Sequence, residues 1–216
     1  MSSRREAALV AAVAVLGNQG TRRLTHRAVD AEGGLPPGTT SNYFRTRTAL
    51  IDGVLAHLTK HEQAMFDQLL PKLAEPDGPE ALVTICAAMV NFLLTTGRTL
   101  ALARYAITLE VIHRPELQPT LVARTQAWWD LGAALLTKAG SPDPHRRART
   151  LLSSIDGLLL DQLARPQPDF DAAAALTPIV RAVLDIAGFD DRASNAADRA
   201  RGSVSGTPAV AAACCR

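Results

Sequence analysis

Gly34 to Arg47 read GLPPGTTSNYFRTR, fourteen positions that hold a glycine-proline turn, a short polar run, an aromatic pair and two arginines. Such a segment buries little apolar surface of its own. It is best explained as a reading head that neighbouring helices hold against a phosphate-lined surface. Upstream, Ser3 and Glu6 form a capping box, and Leu9, Ala12, Val13 and Leu16 recur at helical spacing until Gly20. Thr25 caps a second helix of about two turns, which Gly33 and Gly34 end by permitting left-handed backbone angles. Pro36 and Pro37, tolerated at a helix entrance, are expected to start a third helix running to about Tyr43, with Leu35 in the small core. Two short helices joined by a glycine-containing turn make a helix-turn-helix, whose second helix enters the DNA major groove.

Thr25, Val29, Gly34, Gly38, Thr39, Tyr43, Phe44, Arg47, Ala49 and Leu50 carry a resemblance to the N-terminal domain of the tetracycline-repressor (TetR/AcrR) family of bacterial transcription regulators. The resemblance covers roughly Arg5 to Leu55. Pro36 stands where the family commonly has a small polar residue, Ser41 where it has an aromatic one, and Arg47 where it has lysine. It implies an all-α protein: an N-terminal three-helix head that binds DNA, and a C-terminal helical body for effector binding and dimerisation. The expected boundaries are 1–46 for the head, 47–191 for the body, with helix 4 joining them, and 192–216 for a disordered tail.

Phosphate contacts set a protein's register on DNA, whereas base edges carry the sequence information. Tyr43 offers a hydroxyl at the end of helix 3, and Thr46 caps a helix 4 that begins at Arg47, so Tyr43 and Arg47 are the candidate phosphate anchors. Thr39, Thr40, Ser41 and Asn42 are the candidate readers, Asn42 being able to pair bidentately with adenine. Thr25, Arg27, Pro37 and Gly38 complete the expected DNA-binding surface, while Phe44 is read as core. Residues 1–50 hold seven arginines against three acids in a chain whose net charge is only +2, a basic head on a mildly acidic body.

With 216 residues, 47% of them hydrophobic and 4% aromatic, the chain suits one small helical domain and one larger one. It holds no apolar run long enough for a membrane span, and Met1 to Arg5 lack the apolar core of a signal peptide, so a cytoplasmic protein is expected. The three cysteines, Cys86, Cys214 and Cys215, fit neither a disulfide framework nor a zinc spacing. Proline and glycine then punctuate helices at about Arg47 to Leu70, Glu80 to Thr96, Thr99 to His113, Pro115 to Ala139, Pro144 to Arg165 and Asp171 to Ala187. Glu75 to Pro79 form a linker, Gly53 is a weak point in helix 4, and Pro178 either kinks helix 9 or starts it with Thr177 as cap.

The apolar face of helix 8 is broader than one neighbour requires, as is that of helix 9. Leu152, Ile155, Leu159, Leu163, Val180 and Val183 are therefore the expected interface of a homodimer built on a four-helix bundle. Phe66, Met89, Phe92, Tyr105, Trp128 and Trp129 gather the body's scarce large side chains and are the candidate effector pocket, with His61, Asn91, Arg104, Thr108, Glu110 and His113 the polar groups nearby. Trp128 and Trp129 are adjacent, so one is expected in the core and the other in pocket or interface. His57 and His61 share a helix face, yet no third ligand is dictated, and neither a metal nor a cofactor is expected. No catalytic layout is assignable, so the chain is not read as an enzyme. The sequence thus points to a ligand-responsive repressor that binds a pseudo-palindromic double-stranded DNA operator as a homodimer. The rival is an all-helical small-molecule-binding protein without sequence-specific DNA binding.

Overall fold

The computed structural model describes residues 3–69 and 78–184, and among these every regular element is helical. The α-helices run α1 Arg4–Gln19, α2 His26–Glu32, α3 Thr39–Tyr43, α4 Arg47–Leu69, α5 Pro79–Leu94, α6 Arg98–Ile112, α7 Gln118–Lys138 and α8 Pro144–Ala164, followed by α9 Ala172–Leu184. The predicted caps hold them at their starts. Ser3 Oγ accepts from the Glu6 amide at 3.2 Å, Thr25 Oγ1 from Ala28 at 3.1 Å and Thr46 Oγ1 from Ala49 at 3.0 Å.

Local chemistry moves several of the expected boundaries. Pro36 and Pro37 precede α3 rather than starting it, because Gly38 sits in the left-handed region at φ 88° and a right-handed helix cannot begin before it. Of the glycine pair after α2, only Gly34 has a positive φ, 58°, whereas Gly33 is right-handed at −81°. Pro115–Leu117 form a separate 3₁₀ turn ahead of α7. Pro178 lies inside α9: Asp171 Oδ1 caps that helix from the amides of Ala173 and Ala174 at 2.9 and 3.2 Å, and the Thr177 hydroxyl bonds back to Ala173 O. The expected extension of α9 to Ala187, the tail at 192–216 with Cys214 and Cys215, and linker residues 75–77 lie outside the described residues.

Two hydrophobic cores result. The first joins α1, α2 and α4 to α6 through Leu9, Leu16, Val29, Phe44, Leu55, Leu58, Ala103, Ile107 and Val111. It does not stop at residue 46. α6 belongs to it as fully as α4 does, and at Gly17 a Cβ would collide with the backbone oxygen of Thr99, so α1 and the start of α6 meet backbone to backbone. The second core joins α5, α7, α8 and α9 through Leu82, Met89, Val90, Leu136, Leu151 and Leu176. α8 and α9 are also tied by Arg147, itself 5% exposed, whose Nη1 donates to Leu184 O of α9 at 2.7 Å.

The second core bears on the expected dimer face. Ile155, Leu159, Val180 and Val183 are 2%, 1%, 0% and 2% exposed within the single chain, where they share one buried cluster with residues of α5 and α7. Leu152 and Leu163 are half-buried against the same cluster. Periodicity identifies an apolar face but not which neighbour covers it. The outward surface of α8 includes instead Gly157, where an added Cβ would meet nothing within 4 Å, and Leu160, 50% exposed.

Gly53 is a close-approach position. A Cβ there would lie 2.5 Å from Cε1 of Phe44, whose ring is 4% exposed in the first core. Helix propensity alone favours Gly53→Ala by about 1 kcal/mol, whereas overpacking a buried ring costs roughly 1–3 kcal/mol. The substitution is expected to lower the melting temperature, and Phe44→Leu in the same chain to recover most of the loss. Thermal denaturation of the single and double variants measures both.

Candidate functional site

The short helix α3 has too few residues to hold itself together in water, and a buried carboxylate at the end of α2 does much of the holding. Asp30, 5% exposed, accepts from the Gly38 amide at 2.8 Å, the Thr40 amide at 2.8 Å and the Thr40 hydroxyl at 2.5 Å. Burial pushes the Asp30 carboxyl up, but the hydrogen bonds from Thr40 and Gly38 outweigh it and hold it below the usual carboxylate range. Thr40 is fully buried and Thr39 nearly so, its hydroxyl donating to Pro36 O at 2.6 Å. Neither threonine is therefore a base reader: their hydroxyls build the turn.

What the collar leaves outward is a narrow strip. Asn42 is exposed, and Tyr43 is 47% exposed. Ser41 is half-buried, its hydroxyl on Gly38 O at 2.9 Å. Thr25, Arg27, Pro37 and Gly38 are exposed too, as is Arg45, which the motif does not single out. Sequence reasoning also misses Asp30. Its signal is an acid near the C-terminal end of a helix, where the macrodipole disfavours it unless amides compensate.

Arg47 faces the other way. Its guanidinium donates to Leu24 O at 2.5 Å and to Thr21 O at 2.7 Å, and pairs with Glu110 of α6 at 3.4 Å. Glu110 also accepts from Arg114 at 2.9 Å, and although burial raises its pKa, Arg114 and Arg47 outweigh that and hold it low. Thus Arg47 is a brace between the α1–α2 turn and the body, not an outward phosphate anchor. The family motif fixes the backbone position of this residue but not the direction of its long side chain. His57 and His61, the candidate metal pair, have ring centroids 4.3 Å apart, and His57 Nδ1 lies 3.3 Å from Glu6. Among the described residues no group of three potential ligands assembles.

Between α5, α6, α7 and α8 lies a cavity of about 250 Å³. Met89, Tyr105, Trp128 and Trp129 line it as expected residues of the pocket. Both tryptophans reach it, against the expectation that they divide between surfaces: neighbours in a helix are only about 100° apart, and the cavity spans that arc. Phe92 does not line it, being 36% exposed with its ring packed over Gly97, and the Phe66 side chain lies outside what is described. Ile155 and Leu159, expected at the dimer face, are wall residues here. The polar groups of the wall include Arg104, Thr108, Thr125 and Asp156. Arg104 Nη2 pairs with Asp156 Oδ1 at 2.7 Å, and the Tyr105 hydroxyl donates to the Asp156 carbonyl oxygen at 3.0 Å. Arg104 stands over the Tyr105 and Trp128 rings, at 4.9 and 5.9 Å, and Arg149 over Trp129 at 4.4 Å.

Residues 77–186 match the family model for the tetracyclin repressor-like C-terminal domain. Among solved structures, a member of the TetR family from Streptomyces coelicolor A3 is 28% identical, covering 82% of this chain and 98% of its own, with a TM-score of 0.63. The multidrug binding protein EbrR, complexed with ethidium, is 29% identical over 82% of this chain and 98% of its own, with a TM-score of 0.62. A transcriptional regulator from Rhodococcus sp. Rha1 shares the fold at 24% identity and a TM-score of 0.69, over 85% of this chain and 97% of its own. No match emerges among curated proteins.

Two outcomes test the brace and the collar. Deleting the guanidinium in Arg47→Ala is expected to cost about 2 kcal/mol and lower the melting temperature by roughly 4–8 °C. Were Arg47 instead bound to a DNA phosphate, the same substitution would leave melting unchanged and reduce the salt slope of DNA binding by about one unit. For Asp30, whose pKa is lowered on folding, the stabilisation is fully present above the unfolded pKa and is lost as the pH falls through the folded one. Acid titration of helicity is expected to lose that component in Asp30→Asn, which is less stable than the parent at neutral pH.

Proposed function

Since the chain belongs to the tetracycline-repressor family of transcriptional regulators, we propose that it is a homodimeric, ligand-responsive repressor that reads a pseudo-palindromic DNA operator. Residues 1–46 form the reading head and 47–191 the effector-binding and dimerisation body. The observation that carries the reading is the strip left outward by the Asp30 collar: Asn42 and Tyr43 exposed on a rigidly held α3, in a head that also exposes Arg27 and Arg45. Asn42 pairs with a base edge in the major groove, and Tyr43 with Arg27 or Arg45 fixes the phosphates. Thr25, Pro37, Gly38 and Ser41 pack along the same backbone.

Dimerisation uses the outer surface of α8 around Gly157 and Leu160, where the absence of a Cβ lets a second helix approach and an exposed leucine gains burial. EbrR binds ethidium; here the cavity beside Met89, Tyr105, Trp128 and Trp129 takes the effector. α6 supplies both the cavity residues Arg104, Tyr105 and Thr108 and, within two turns, the Glu110 that seats Arg47. An effector that binds more tightly to one position of α6 therefore shifts the head, because the brace carries that difference to the α1–α2 turn.

A footprint upstream of the protein's own gene, followed by retention assays at several salt concentrations, tests this reading. Asn42→Ala is expected to relax preference at one base pair per half-site at a cost of about 1–3 kcal/mol, whereas Tyr43→Phe weakens all sequences alike. Leu160→Glu is expected to yield monomers in sedimentation and to lose operator affinity. Ligand binding without sequence-selective, salt-dependent retention would make the chain a small-molecule-binding protein instead.

A further inference from the structure

The cavity wall carries information about the charge of its occupant, an inference that rests on reading this cavity as the effector site. Its ionised residues, Arg104 and Asp156, are paired but unequally solvated: the Arg104 side chain is 16% exposed and that of Asp156 is 50% exposed. Arg104 is also wedged against the rings of Tyr105 and Trp128. A ligand that engages one partner displaces the other. A cation taking Asp156 would set a second positive charge beside a largely buried guanidinium, the costly outcome for a desolvated pair. An anion taking Arg104 releases Asp156, already half in water, into solvent. The second exchange is the cheaper.

Asp156 also shows what the polar end of the cavity accepts. Its Oδ1 receives Arg104 Nη2 at 2.7 Å and lies 3.2 Å from the Tyr105 hydroxyl, whose one proton it shares with the Asp156 carbonyl oxygen at 3.0 Å. Burial pushes the Tyr105 phenol up to about 12, so it stays a proton donor at neutral pH. The remaining wall is flat and apolar, with Trp128 and Trp129 beside Met89 and Leu93. The volume of about 250 Å³ falls below the roughly 300–1,000 Å³ usual for drug-sized ligands. We propose that the cavity binds a compact aromatic carboxylic acid as its anion, the carboxylate replacing that of Asp156 on Arg104 and Tyr105 and the ring lying against the two tryptophans.

The test is calorimetric titration of the full chain with three probes of one shape: 1-naphthoate, neutral 1-naphthamide and 1-naphthylmethylammonium. Naphthoate is expected to bind at least ten-fold tighter than either. Asp156→Ala is expected to tighten naphthoate further by removing the internal competitor, and Arg104→Met to erase the preference, while Arg104→Lys keeps part of it. The comparison of probes on the unaltered protein holds even where a variant folds poorly. Equal or tighter binding of the ammonium probe, or no binding of naphthoate, overturns the proposal. Operator retention measured on the same preparation separates the two readings: naphthoate binding with no selective DNA retention keeps the carboxylate seat and removes the regulator, and the reverse result does the opposite.

Discussion

Everything that α3 presents depends on one carboxylate. Asp30 gathers two amides and a hydroxyl from a five-residue helix and its entry turn, replacing the intrahelical bonds that so short a segment cannot supply. Burying a carboxylate is costly in itself, and three donors converging on it are what make the burial tolerable. The same arrangement explains the left-handed Gly38: its amide turns toward Asp30 only because the backbone there adopts a conformation that residues with a Cβ rarely visit. The outward direction of Asn42 and Tyr43 is then a consequence of where Thr40 is anchored.

A second constraint joins this head to the rest. Arg47 grips two carbonyls of the α1–α2 turn and one carboxylate of α6, and α1 packs on α6 through the shared first core. The packing and the brace differ in kind. Apolar contacts are non-directional, whereas a guanidinium bonded to fixed carbonyls holds a defined direction. Arg47 thereby ties α6 to the turn that carries α2.

Much of the fold is legible in the sequence because its signals are local. Ser3, Thr25 and Thr46 each cap the helix that their position predicts, and the prolines and glycines delimit the body helices to within a few residues. The site is legible only in outline. Scarcity of large side chains points to Met89, Tyr105, Trp128 and Trp129, but Asp156 lies 51 residues from its partner Tyr105 and no spacing connects them. The inward turn of Thr40 and Arg47 is hidden for the same reason: Thr40 is turned by Asp30, and Arg47 by the carbonyls of Thr21 and Leu24 with Glu110 beside them, and sequence shows the residue without its partners. The expected dimer face is ambiguous for another reason: Leu159 and Val183 have the right periodicity for any buried face, and both lie in the core of the single chain.

The backbone approach between Gly17 and Thr99 bears on how this chain can be recombined with another. A chimera cut in the linker ahead of α4 would transplant α1 without the α6 surface moulded to it, and any larger residue at position 17 of the donor would collide with the main chain of the host. The first 46 residues of this chain are therefore not a free cassette, and an engineer seeking a hybrid has to move α1 and the first turn of α6 as a matched pair.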